Sequence, residues 1–346
     1  MNYDGWFGKV PLDKRDYFPA HRKFHEFPSP RRPPFCFAAA AAAGAGVYLP
    51  LIDLSRLILE PEECKAEIRL AAAEWGFFQV VSHGVPRELL ERLRKVQANL
   101  FRRPFTEKEK EKGKLLDFPA GCCYSWGTPT ATCLTQLSWS EAYHIPMTPS
   151  AVPSKLRARR VIDEYAMRVA QLSYKLAEIL AEGFEEEGRG NGGYIEEHCR
   201  PSSCYLRLNR YPPCPIPKGV FGLVPHTDTD FLTILHQDQV GGLQLFKGGR
   251  WITVNPNSNA FVVNIGDLFQ AWSNDVYKSV EHRVMANSQI ERFSTAFQLC
   301  PSYETIIQCN KSPSTYRSFS FMEYKQKIKE DVKLYGHKVG LSRFLA

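Results

Sequence analysis

Apolar positions recur along this chain first at helical spacing and then at strand spacing, and the change falls near residue 203. A short strand-like run at 47–52 (VYLPLI) comes first. Cys64, Ile68, Ala71, Ala72 and Trp75 then recur with the period of a helix. The run 75–81 (WGFFQVV) is rich in β-formers and predicts a strand. Pro86 opens a second helix at a favourable first-turn position, with Leu89, Leu93, Val96 and Leu100 on one face. Thr106 followed by Glu109 predicts a capping box over a short charged helix. Residues 115–140, rich in Gly, Ser, Thr, Pro and aromatic side chains, read as a structured loop. The longest helix is expected over about 155–185, with Ile162, Tyr165, Val169, Leu172, Leu176, Leu180 and Phe184 as its stripe and the Gly-rich 188–193 ending it.

Between 203 and 300, β-rich runs arrive every 8–14 residues: 204–210, 231–236, 243–246, 251–254, 260–265, 279–284 and 293–299. Gly, Pro, Asn and Asp separate them, the spacing of an antiparallel sandwich or barrel. Ser320 with Glu323 predicts the cap of a last helix bearing Phe321, Tyr324 and Ile328 on one side. The fold class expected is α+β, a double-stranded β-helix (jelly-roll) core with a helical N-terminal region and a C-terminal helix. The chain divides into a loose extension (1–47), a helical region (48–195), the core (200–310) and a C-terminal helical segment (311–346).

Composition narrows the class. Apolar residues make 44% and charged residues 23% of 346, which excludes a disordered or fibrous chain. The net charge of +7 splits into +3 over 1–32, +5 over 311–346 and −1 over everything between. A neutral body with basic ends is a poor nucleic-acid surface. Ten cysteines include no pair at CxxC spacing, so a zinc knuckle and a thioredoxin motif are excluded and reduced thiols are expected. The uncharged run 33–52 is mostly Ala, broken by Pro and Gly, and does not read as a membrane span. The first thirty residues lack the apolar stretch of a signal peptide. The expected location is the cytoplasm, with the nucleus as a second compartment, and the expected partners include neither nucleic acid nor membrane.

Candidate chemistry lies in the strand-rich part. His226 and Asp228 stand two apart in an HxD tripeptide, where an extended segment projects both from one face. His282, separated from Asp228 by 53 intervening residues and inside a β-rich run, supplies a third ligand. Two imidazoles and one carboxylate on one face of an octahedron leave positions open, as a non-haem Fe(II) oxygenase requires. HxD alone is commonly a turn, and a distant histidine alone is commonly a core residue. Arg292 and Ser294 share a face by strand alternation and form a fork for a carboxylate. Asn209 and Tyr211 share a face upstream of HxD. The plainer reading of RxS is an ordinary surface strand; the four motifs in order make a site.

The segments 209–215 (NRYPPCP), 225–246 (PHTDTDFLTILHQDQVGGLQLF), 264–267 (NIGD), 273–283 (SNDVYKSVEHR) and 292–301 (RFSTAFQLCP) resemble the plant soluble Fe(II)/2-oxoglutarate-dependent dioxygenases. The segment 75–86 (WGFFQVVSHGVP) is similar to that family's N-terminal region, so the resemblance covers about 48–340. It implies His226, Asp228 and His282 as iron ligands, and Arg292 and Ser294 on the distal carboxylate of 2-oxoglutarate, assisted by Tyr211 and Asn209. No catalytic side chain beyond the metal centre is implied. Cofactors would be Fe(II), with 2-oxoglutarate and O₂ as co-substrates and ascorbate in support. Oxidative decarboxylation of 2-oxoglutarate to succinate and CO₂ would accompany substrate hydroxylation. Arg210 stands where the family often has Tyr and is expected to face away from the site; Thr295 is a similar departure.

The segments 124–132 (YSWGTPTAT) and 136–146 (QLSWSEAYHIP) resemble gibberellin 2-oxidases, in particular the subgroup acting on C20 gibberellins. The activity implied is 2β-hydroxylation of a diterpenoid acid, which inactivates the hormone. Such a substrate requires aromatic walls and a cation away from the iron. Tyr124, Trp126 and Trp139 are candidate walls, against the plainer reading that they pack the loop on the barrel. Arg207 shares strand parity with Asn209 and Tyr211 and is the candidate partner of the substrate carboxylate, or else one half of a structural salt bridge. His83 and His144 read as structural. A flavonoid or other specialised-metabolite hydroxylase, and a jelly-roll binding protein without turnover, are the competing functions.

Overall fold

A left-handed glycine marks the first junction between helix and sheet. Helix α1 (Pro61–Trp75) ends at Gly76, with φ 63°, and the chain re-emerges as a strand at Phe77. A side chain at Gly76 would meet the carbonyl of Lys278 at 2.3 Å, so this turn requires glycine on two counts. The structure, a computed structural model, describes residues 46–110, 122–128, 131–147, 156–184, 194–199, 201–216, 219–309 and 311–346. The expected extension, most of the uncharged run and the glycines at 188–193 lie outside the described residues.

The strands are β1 (Leu51–Asp53), β2 (Phe77–Val81), β3 (Cys123–Trp126), β4 (Glu141–Pro146), β5 (Tyr205–Tyr211), β6 (Phe221–His226), β7 (Leu232–Gln237), β8 (Leu243–Lys247), β9 (Arg250–Thr253), β10 (Phe261–Ile265), β11 (His282–Met285) and β12 (Arg292–Leu299). Eight form one sheet in the order β1-β2-β10-β7-β12-β5-β4-β3; four form a second in the order β6-β11-β8-β9. The expected jelly-roll core is present, with helices α2 (Arg87–Phe101) and α3 (Arg157–Glu182) in the N-terminal half and α4 (Phe321–Tyr335) near the C-terminus. The α3 stripe from Ile162 to Leu180 is buried in the main core cluster together with Leu206, Leu208, Ile234, Phe293 and Phe297 of β5, β7 and β12. Each such side chain stabilises the packing by about 1.5–3 kcal/mol. Ser320 caps α4, its side chain accepting from the Glu323 amide as the sequence predicts. No helix among the described residues is long and apolar enough to cross a membrane, and the nine described cysteines are all free.

Several expectations fail locally. The short helix starts at Phe105, directly after Pro104, whose carbonyl accepts from the amides of Glu107 and Lys108. Thr106 therefore lies inside the helix and forms no capping box. Buried Phe105, edge-on to the Tyr124 ring, sets that start. The expected loop at 115–140 contains β3 and leads into β4, and the run at 47–52 is a strand only from Leu51. β6 escapes the sequence pattern because Gly222 and Pro225 interrupt it. Gly222 has a packing reason: a Cβ there would sit 2.8 Å from Tyr211 Cδ1.

Candidate metal and co-substrate site

His226 ends β6 and His282 begins β11, and the two are direct partners across that antiparallel pair. Their ring centroids are 4.3 Å apart. Asp228 lies just past the end of β6, so turn geometry rather than strand alternation brings it back toward His226. Its Oδ1 is 3.6 Å from His226 Nε2 and its Oδ2 is 3.9 Å from His282 Nε2. The ligand atoms of the three lie within 4.8 Å of one another, and among the described residues this is the group of His, Cys, Asp and Glu able to hold a metal ion.

Both imidazoles are oriented by backbone. His226 Nδ1 lies 2.8 Å from the Val224 carbonyl and His282 Nδ1 3.1 Å from that of Val280. With Nδ1 donating, Nε2 presents a lone pair to the centre of the triad. Burial, then the neighbouring His282, depress the pKa of His226 and keep it neutral. Burial alone would raise Asp228; the two histidines and donors from Asn264 and Thr233 overcome it and hold the carboxyl well below its ordinary range. Asn264 Nδ2 donates to Asp228 Oδ2 at 2.8 Å from β10, and Thr233 Oγ1 lies 2.7 Å from the same oxygen on β7. Thr233 Oγ1 is also 2.8 Å from Asp230 Oδ2, yet it has one hydrogen for two carboxyls. Burial and the charge of Asp228 push the pKa of Asp230 up. Two imidazole nitrogens and a carboxylate oxygen in a buried triangle are the donor set that Fe(II) takes.

The triad opens on a cavity of about 200 Å³ between the two sheets, walled by alternate residues of β5 and β12. Arg207, Asn209 and Tyr211 reach it from β5, Arg292 and Ser294 from β12, with Ser294 opposite Asn209 and Arg292 opposite Tyr211. Asn209 Nδ2 donates to Ser294 Oγ at 3.3 Å. Arg292 is 2% exposed and lies over the Tyr211 ring, 4.7 Å from its centroid. One of its nitrogens donates to Gln237 Oε1 at 2.9 Å, while Nε and Nη1 have no partner among the described residues. Two orphaned donors on a buried guanidinium fit a bound carboxylate, since no folded chain leaves them unmade at small cost.

Residues 202–301 match the model of the 2OG-Fe(II) oxygenase superfamily, and 49–163 match that described as non-haem dioxygenase in morphine synthesis N-terminal. The chain is 52% identical to gibberellin 2-beta-dioxygenase 8 of Arabidopsis thaliana, over 90% of this chain and 91% of that protein. It is 55% identical to gibberellin 2-beta-dioxygenase 5 of Oryza sativa subsp. japonica, over 86% and 87%. The crystal structure of JOX2 in complex with 2OG, Fe and JA superposes with a TM-score of 0.72 at 32% identity, covering 87% of this chain and 90% of that one. The chain belongs to the 2OG-Fe(II) oxygenase superfamily. Fe(II) and 2-oxoglutarate are therefore its cofactor and co-substrate, and the resemblance to gibberellin 2-oxidases is borne out.

Not every candidate in this oxygenase reaches the cavity. Tyr124 and Trp126 pair with Tyr143 and Glu141 of β4, which pair in turn with Leu208 and Arg210, the face of β5 opposite to Asn209. Strand parity thus turns both away from the triad. The Tyr124 hydroxyl donates to Glu141 at 2.5 Å, and Trp126 packs edge-on against Trp139, 5.6 Å between centroids. The expectation that they wall the substrate site is corrected accordingly. Arg207 does line the cavity; its Nε donates to Asn209 Oδ1 at 2.8 Å, and among the described residues it has no ion-pair partner. His144 stacks on Tyr205 with centroids 4.0 Å apart, and burial followed by the charge of Arg207 pulls its pKa down to about 4. Sequence reasoning assigned no role to Asn264, Thr233 or Gln237. Asn264 opens the NIGD motif and pairs with Thr233 across β10 and β7, a register that no spacing in the chain reveals.

Proposed function

We propose that this oxygenase 2β-hydroxylates gibberellins, C20 precursors in particular, and thereby removes the active hormone. The observation that carries the reading is 52% identity along 90% of the chain to a protein named for that reaction, with the whole His226–Asp228–His282 set in place. His226, Asp228 and His282 would hold Fe(II), which when bound activates O₂ at the expense of 2-oxoglutarate and so supplies the hydroxylating power. Arg292 takes the distal carboxylate of 2-oxoglutarate on a guanidinium edge that includes an unpartnered N–H, with the Ser294 hydroxyl beside it and Tyr211 under the guanidinium plane. Asn209 orients Ser294 and also anchors Arg207. Arg207 meets the carboxylate of the diterpenoid. At about 200 Å³ the enclosed space suits a small dicarboxylate and is below the ~300–1,000 Å³ of drug-sized ligand sites, so the larger substrate sits across the mouth. We assign this activity to the cytoplasm, with the nucleus as a second compartment.

The test is incubation of the purified protein with Fe(II), 2-oxoglutarate and ascorbate against C19 gibberellins, C20 gibberellins and flavonoids, with products identified by mass spectrometry. A 2β-hydroxylated C20 product is expected. Conversion of flavonoids with no gibberellin consumed would replace the substrate class. No product from any acceptor, with 2-oxoglutarate untouched, would leave a binding protein.

A further inference from the structure

We propose that Gln97, on helix α2 of the N-terminal half, is a positioning residue for 2-oxoglutarate. Gln97 is 2% exposed and points at the sheet from the face opposite the cavity. Its single amide nitrogen donates twice, to the Asn209 carbonyl at 2.9 Å and to the Ser294 carbonyl at 2.8 Å. These two residues oppose each other across β5 and β12, and their side chains bond each other inside the cavity. One buried side chain thus ties the backbone of both strands at the cross-strand pair whose polar groups face the co-substrate.

Position decides what this tie does. Arg292 lies two residues from Ser294 on the same strand and lines the cavity, with two donor nitrogens unpartnered among the described residues. A bidentate carboxylate contact tolerates little displacement, because both N–H bonds must stay short and in plane. Without the Gln97 donors the two buried carbonyls keep their ladder partners but lose their bond to α2, and the paired strands that carry Ser294 and Asn209 are no longer held from the outer face. The loss should therefore appear chiefly as weaker co-substrate binding, with a smaller effect passed through Asn209 to Arg207 at the diterpenoid end.

The inference rests on the reading of Arg292 and Ser294 as the carboxylate fork, so its test carries Arg292→Lys beside it. Gln97→Met keeps the length of the side chain and removes both donors. The dissociation constant of 2-oxoglutarate is measured by anaerobic calorimetry on the full-length Fe(II)-loaded protein, together with the thermal midpoint and both KM values. For Gln97→Met we expect the 2-oxoglutarate constant to rise about tenfold, the worth of one hydrogen bond, while the substrate KM stays within about twofold. A lowered midpoint with an unchanged constant, while Arg292→Lys binds weakly, would make Gln97 merely structural and overturn the proposal. Unchanged constants in both variants would overturn the fork reading itself and the proposal with it. Should Gln97→Met not fold, Gln97→Asn, one methylene too short to reach both carbonyls, gives the same readings.

Discussion

Arg210 and Arg292 are one step apart in the same cross-strand ladder, on opposite faces of the same sheet, and their surroundings differ in kind. Arg292 pairs with Tyr211, and Arg210 with Phe293. On the outer face Arg210 donates to Glu291 and Glu141, each at 2.9 Å, and Glu141, fully buried, also receives Lys108 and the Tyr124 hydroxyl. On the inner face Arg292 has, among the described residues, a single neutral acceptor, Gln237, and no carboxylate. A guanidinium with all its anions supplied by the chain holds the fold together. One left with orphaned donors beside a cavity needs an anion from outside. Both are arginines on one ladder, so residue type does not separate them; the partner count does.

The largest test breaks the metal centre itself. Asp228→Ala or His226→Ala should reduce turnover to background and lower bound iron, because a three-ligand site missing one ligand holds Fe(II) poorly at neutral pH; wild-type iron content with wild-type turnover in either would remove the assignment. On the outer face, Glu141→Gln should destabilise the protein by about 3–5 kcal/mol, read as a lower midpoint in chemical denaturation, since it leaves buried Lys108 and Arg210 without their shared anion. KM for 2-oxoglutarate should not move, and a rise would mean that the two faces are not independent. On the inner face, Arg292→Lys keeps charge but loses the planar fork, and KM for 2-oxoglutarate should rise by about a hundredfold, ~2.7 kcal/mol, with stability nearly unchanged.

At the mouth, Arg207 is partly exposed, which places Arg207→Met at the low end of the cost of removing a buried charge partner. Gibberellin KM should rise by about thirtyfold, ~2 kcal/mol, and the preference for free acid over methyl ester should vanish, while decarboxylation of 2-oxoglutarate without substrate continues. A mutant that still prefers the acid would show that another group reads it. The smallest effect is at His144, held neutral with its pKa near 4 against the ordinary 6.5. Below about pH 6.5 the unfolded chain binds a proton that the folded one refuses, so stability falls as pH drops toward 4. His144→Gln should flatten that slope by on the order of 1–3 kcal/mol, measured as midpoint against pH; an unaltered slope would show that His144 titrates freely.

Short-range regularity made much of this molecule legible in the chain. Period-two alternation was enough to line Arg207, Asn209 and Tyr211 along one wall and Arg292 and Ser294 along the next, because β5 and β12 run without a bulge. The helical stripe of α3 and the Ser320 cap follow from residue spacing in the same way. HxD was legible as a motif, though for a reason other than alternation, since β6 stops at His226 and the turn beyond it returns Asp228 to the site.

What tertiary structure alone decided is which face of each strand meets which neighbour. Tyr124 and Trp126 sit in segments that resemble gibberellin 2-oxidases, yet β3 joins the sheet in a register that turns both outward. Asn264 and Thr233 reach Asp228 from the other sheet, Gln237 meets Arg292 from 55 residues away, and Gln97 reaches Ser294 from 197 away. Side-chain direction within an element is set by local backbone geometry, and the chain carries that in its spacing. Register between elements is set by how whole faces pack, so partners distant in sequence are chosen only when the two sheets and the helices that cover them close together.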